Sequence, residues 1–123
     1  MGDRGNIVVR YEGDNGEAPN REIFLYTHWG GSEIGETLQK ALALRRRWDD
    51  SAYLTRIIFN QLQGSDRAET GYGISPFMCD NEHKLLVVDV PSQRVYLETE
   101  KRSKVKEWTF EEFVAIPIDS IGV

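Results

Sequence analysis

The sequence predicts an α+β fold. Its expected form is a mainly antiparallel sheet of four to five strands, elements in the order ββααβββα, with two long helices packed on one face. Three observations lead there. Short stretches of apolar residues alternate with period two near both ends of the chain. Two helical stripes of period 3.6 follow one another in the middle. The strands are linked by hairpin signals instead of alternating with helices, which argues against a doubly wound parallel sheet.

Asn6 to Glu12 is the first strand, with Ile7 and Val9 on one face. A turn-rich link, Gly13 to Asn20, leads to a second strand from Glu22 to Thr27. Both faces of that strand are fairly apolar, which places it inside the sheet. Gly30-Gly31 breaks it, and Ser32 stands where an N-cap would open a helix. Ile34, Leu38, Ala41 and Leu42 fall on one face of that helix, and Arg45, Arg46 and Arg47 match the negative end of its dipole. Asp50 or Ser51 caps the next helix, whose stripe is Leu54, Ile57, Ile58 and Leu62 and whose stop is Gly64. Tyr72 to Phe77 reads as a short strand. Leu85 to Val90 and Arg94 to Glu98, joined by Pro91-Ser92-Gln93, give the strongest hairpin signal. Last comes a two-turn helix. Thr109 and Glu112 form its capping box, Trp108 and Phe113 its hydrophobic staple, and Pro117 its end.

With 123 residues, 40% of them apolar, the chain suits one domain over 1–123. Lys and Arg total 15 and Asp and Glu 20, a net charge of -5, which does not favour duplex DNA as a bulk partner. The single cysteine, Cys79, excludes an internal disulfide and a multi-cysteine zinc site. Apolar runs are far short of the ~18 residues that span a bilayer. The N-terminus, with Asp3 and Arg4, lacks a secretory h-region. A cytoplasmic protein without membrane contact is expected.

Five segments carry chemistry beyond scaffolding. Gly2-Asp3-Arg4-Gly5-Asn6 could present backbone N–H groups and Arg4 to an anion, or be a terminus with its own charge pair. Tyr26 to Ser32 places His28 and Trp29 where a strand gives way to a helix start, although both fit a structural role as well. It has neither the spacing nor the Lys-Ser/Thr end of a P-loop. Arg47-Trp48-Asp49-Asp50 sets acids beside an aromatic, with an ordinary N-cap as the plain alternative. Thr70-Gly71-Tyr72-Gly73-Ile74-Ser75 packs poorly as a strand and suits a floor under something flat. Asp80-Asn81-Glu82-His83 puts three residues with metal or acid–base potential within four positions. Asp80, Glu82 and His83 could assemble a metal site with His28, but no spacing is diagnostic and a polar turn accounts for the same letters. Nothing in the pattern demands a metal or other cofactor. Cys79 reads as a small hydrophobe, and no Gly-x-Ser-x-Gly supports a serine hydrolase.

Taken together, Gly2-Asp3-Arg4, Tyr26-Thr27-His28-Trp29-Gly30, Arg47-Trp48-Asp49-Asp50, Gly71-Tyr72-Gly73-Ile74-Ser75 and Asp80-Asn81-Glu82-His83 resemble a group of small, functionally unassigned proteins of bacteria and their phages. The resemblance covers about residues 1 to 98 and transfers no catalytic residue. It implies a bacterial or phage setting, where small proteins often block host defence by sequestering or cleaving a nucleotide messenger or by binding a defence protein.

Three function classes follow. The first is a binder of a nucleotide-like anion, in a phage a counter-defence sponge for an immune signalling nucleotide, with Trp29, Trp48 and Tyr72 for stacking and Arg4, Arg47 and the Arg45–Arg47 run for phosphate. The second is a phosphodiesterase-type hydrolase using His28, His83, Asp80 and Glu82. The third is an inhibitor that meets a host protein through its acidic surface. The segments Thr27–Ser32 and Asp80–His83 are expected to meet, and so small a domain is expected to form a homo-oligomer, most simply a two-fold dimer.

Overall fold

The computed structural model describes residues 2–13 and 20–123. Strand β1, Gly5–Tyr11, pairs antiparallel with β2, Arg21–Thr27, from Gly5↔Thr27 to Tyr11↔Arg21. Most of the turn-rich link between them, 14–19, lies outside the described residues. One 3-10 turn, Gly31–Glu33, runs into α1, Ile34–Ala43, and α2 is Ser51–Gln63. Four strands follow: β3, Tyr72–Ser75; β4, Leu85–Asp89; β5, Arg94–Glu98; and β6, Lys104–Thr109. The last helix, α3, is Phe110–Ala115.

The fold is α+β, but its sheet has six strands in the order β3-β2-β1-β4-β5-β6, one more than expected, and is mixed. β1 and β4 run parallel at its centre, Ile7 opposite Leu86 and Val9 opposite Val88, while the other neighbours are antiparallel. Parallel neighbours need a long crossover. Here the chain between β1 and β4 includes β2, both long helices and β3. The extra strand, β6, pairs with β5 through Val95↔Trp108 and Arg94↔Thr109.

The two long helices do share one face. Ile7, Val9, Leu25, Leu86, Val88, Val95 and Leu97 of the sheet form one buried cluster with Leu38 and Leu42 of α1 and Leu54, Ile58 and Leu62 of α2. Burying such side chains stabilises by roughly 1.5–3 kcal/mol each relative to exposure. Asp50 caps α2, its carboxylate accepting from Tyr53 N at 3.1 Å. Ser32, expected to cap α1, lies inside the 3-10 turn and makes no side-chain cap bond. Its hydroxyl turns to Asp3, at 2.6 Å.

On the opposite face Val8, Phe24, Leu85 and Val87 form a second cluster against Tyr96. A lattice of charges borders it. Arg10 reaches Glu22, Asp89 and Glu98 at 3.0–3.4 Å, and Arg102 grips Glu22 at 2.5 Å and Glu98 at 2.7 Å. The link from β3 to β4 reaches this face at Asn6, whose Nδ2 lies 3.2–3.4 Å from Cys79 O, Asp80 O and Asn81 Oδ1.

Candidate functional site

Four of the five chemistry-bearing segments assemble at one end of the sheet, where β1 begins and β2 ends. Backbone bonds fix them. Asp3 N donates to His28 O, His28 N to Gly71 O, Gly31 N to Asp3 O and Glu82 N to Arg4 O, all at 2.7–2.9 Å. Asp3 is the hub. Its Oδ2 accepts from Ser32 N at 3.0 Å and Ser32 Oγ at 2.6 Å, while Oδ1 lies 2.5 Å from His83 Nε2. The Ser32 hydroxyl and amide, then the His83 bond, hold its carboxyl at about 2, below the usual carboxylate range. Gly31 sits where a Cβ would be 2.6 Å from His83 Cδ2 and 2.8 Å from Asp3 O, so only glycine lets the two strands of this knot approach.

Thr27–Ser32 and Asp80–His83 therefore meet, with Arg4 between them. Its N and Nε both donate to Glu82 Oε1, at 2.9 and 3.0 Å, and Nη1 pairs with Asp80 at 3.2 Å. The Arg4 backbone and guanidinium lower the Glu82 pKa. His28 Nδ1 lies 2.9 Å from the Tyr26 hydroxyl, and its ring meets Trp29 edge-on. Trp29 is half exposed and stands 6.3 Å, also edge-on, from Tyr72.

These groups mostly satisfy one another. Asp80 and Glu82 both pair with the Arg4 guanidinium, so its charge is already matched and the site does not favour an added anion. The Ser32 hydroxyl donates to a carboxylate and not to a histidine, so it is no activated nucleophile. Among the described residues no three His, Cys, Asp or Glu side chains gather to hold a metal ion.

Arg47 and Trp48 lie elsewhere. Trp48 serves the core: Nε1 donates to Leu42 O at 3.1 Å, and the ring meets Phe110 edge-on. Arg47 lies over the Tyr53 ring at 4.8 Å and borders a hollow of about 410 Å³ with Glu12, Asp49 and Asp50. Of the three neighbouring arginines, Arg45 pairs with Glu111 and stacks on Trp48.

A second concave region has the opposite electrostatic character. Tyr72 and Ile74 face the helical side of the sheet, opposite Thr27 and Leu25, but Ile74 is 58% exposed. Between it and α2 lies a hollow of about 640 Å³ lined by Arg56, Phe59, Asn60, Gln63, Gly64, Arg67 and Ile74. Arg56 Nε donates to Asn60 Oδ1 at 3.1 Å and Arg67 Nη1 to Gly64 O at 3.0 Å. Among the described residues neither guanidinium has a carboxylate partner. Sequence reading passes over these residues because Arg56, Asn60 and Gln63 look like the solvated side of α2. The available signal is their spacing of four and three, which aligns them on one helix face beside Phe59.

No helix among the described residues is long and apolar enough to cross a membrane. No protein-family model, curated protein or solved structure matches the chain.

Proposed function

We propose that the protein binds a small anionic ligand of nucleotide-like build in the groove between α2 and β3. One observation carries this reading: Arg56 and Arg67, both without a carboxylate partner among the described residues, line one hollow with Phe59 and Ile74. Its volume of about 640 Å³ falls within the ~300–1,000 Å³ of small-molecule sites. Guanidinium forks suit phosphate oxygens, Phe59 and Ile74 offer apolar contact to a base, and the Gln63 amide offers donor and acceptor to its edge. The hollow adjoins the C-terminal end of α2, the negative pole of its dipole, so retention of an anion depends on both arginines.

The same lining favours sequestration over turnover. It contains no His, Cys, Ser, Asp or Glu, and so no nucleophile or general base of the usual kinds. Where β1 begins and β2 ends, the acids considered for hydrolysis, Asp80 and Glu82, are ion-paired to Arg4. A messenger-sequestering role in a bacterial or phage setting agrees with such a groove.

The test is a thermal-shift and calorimetry panel of mono-, di- and cyclic dinucleotides with inorganic pyrophosphate, on the wild type and on an Arg56→Ala/Arg67→Ala double variant. The expected result is a raised melting temperature for at least one phosphate ligand, recovered intact, and roughly tenfold or greater loss of affinity in the variant. No stabilisation by any of them, or equal binding by the variant, refutes the groove as the site.

A further inference from the structure

We infer that the β3 edge is the surface through which two copies of this chain associate, strand to strand across a two-fold axis. The sheet has two edges, and they differ in chemistry. β6 is guarded: Lys104, Lys106 and Glu107 stand exposed on it, and Lys101 precedes it. Charges of this kind, lysine above all, block edge-to-edge pairing. β3, Tyr-Gly-Ile-Ser, carries no charge at all.

Exposed apolar side chains gather around the unguarded edge. Ile74 is 58% exposed on the strand, and Phe77 and Met78, just beyond it, are 67% and 37% exposed. Trp29, 52% exposed, stands at its other end against Tyr72. Isolated apolar residues on a surface need no explanation, but one on an open strand with others at both of its ends does.

The occupant follows from self-complementarity. In an antiparallel pairing about a two-fold axis, the same strip meets itself, so an uncharged strand meets an uncharged strand. Pairing β3 with β6 would instead be head-to-tail, would leave an open edge at each end and would set Lys104 and Lys106 against the apolar strip. A β3–β3 contact leaves only the two guarded β6 edges exposed. It also places a second copy beside Ile74, along the open side of the groove. The inference does not depend on what the groove binds.

Sedimentation velocity of the full chain without ligand, from low to high micromolar concentration, tests it. The expected result is a dimer that Ile74→Lys and Phe77→Lys each weaken by roughly tenfold or more, while Val105→Lys on the β6 edge leaves it intact. All three positions are exposed, so circular dichroism should show an unchanged fold. Phe77 does not line the groove, so its variant separates association from ligand binding. A wild-type monomer throughout, which would leave the edge to a strand of another protein, or a dimer weakened by Val105→Lys and not by the β3 variants, overturns the inference.

Discussion

Trp29 lies so close over Gly71 that a Cβ at residue 71 would stand 2.0 Å from Trp29 Cζ3 and 2.7 Å from Cη2. Gly71 also has a φ of +94°, and its carbonyl accepts from His28 N at 2.8 Å. The glycine thus joins the end of β2 to the start of β3 and seats the indole at once.

Gly71→Ala is expected to destabilise the protein by about 2 kcal/mol or more, combining left-handed strain with displacement of Trp29. Gly64→Ala is the control: φ there is +61°, but nothing lies within 4 Å of the added Cβ. Urea denaturation should show the larger loss at residue 71. Equal losses would mean that the indole moves aside freely.

Acid should release the N-terminal segment. Asp3 is held at about 2 against an ordinary 3.8, chiefly by the Ser32 hydroxyl and amide and then by His83. Because the folded value is depressed, this contribution is complete above the ordinary value and fades as pH falls through about 2. The expected outcome is faster exchange of the Gly31 and Ser32 amides across that window, and an Asp3→Asn variant in which they no longer respond. An unchanged pH response in Asp3→Asn would assign the transition to another group.

What could be read from the chain is what neighbouring residues decide. The hairpin at Pro91–Gln93 forms as expected, with Val87 opposite Tyr96 and Val88 opposite Val95. The capping box and staple form too, because every partner lies within five residues. β6 was hidden because residues 101–107 hold five charges and one apolar side chain, Val105, the composition of a solvated loop. Its pairing with β5 and the ion pairs Arg94–Glu107 and Lys104–Glu107 make it a strand. The parallel β1–β4 pair was hidden because its partners are almost eighty residues apart, as in Val8↔Val87. At the sheet end the residues of chemical interest could be named, but not that Arg4 would be shared by Asp80 and Glu82. The Gly71–Ser75 segment reads as a poorly packing strand, but only the sheet order, with β3 outermost, shows that Ile74 is exposed.

At α3 the capping box is complete. Glu112 N donates to Thr109 Oγ1 at 3.1 Å, and Thr109 N donates to Glu112 Oε1 at 2.8 Å. Trp108 and Phe113 close the staple, their ring centroids 5.3 Å apart. Thr109→Ala should cost about 1 kcal/mol, and Thr109→Ser much less, in chemical denaturation. An unchanged midpoint for Thr109→Ala would show that the staple alone holds the helix.

The charge lattice on the open face gives the last prediction. Arg102 donates bidentately to Glu22, at 2.8 Å and 2.5 Å, and through Nε to Glu98 at 2.7 Å. The Glu98 side chain is only 8% exposed. Without Arg102, the carboxylates of Glu22, Asp89 and Glu98 would still crowd around the one Arg10 guanidinium, with one cation fewer to offset them. Arg102→Ala should therefore cost about 2 kcal/mol at neutral pH. Arg102 is the largest cause of the lowered Glu22 pKa. Its loss should raise that value, so the variant's folded state takes up protons more readily than the wild type's. The penalty should then shrink as pH falls through the ordinary glutamate value of 4.5. Denaturation midpoints of both proteins at several pH values read this directly. A penalty that does not change with pH would assign the effect to packing, since Arg102 Cζ also stands 6.0 Å above the Phe24 ring.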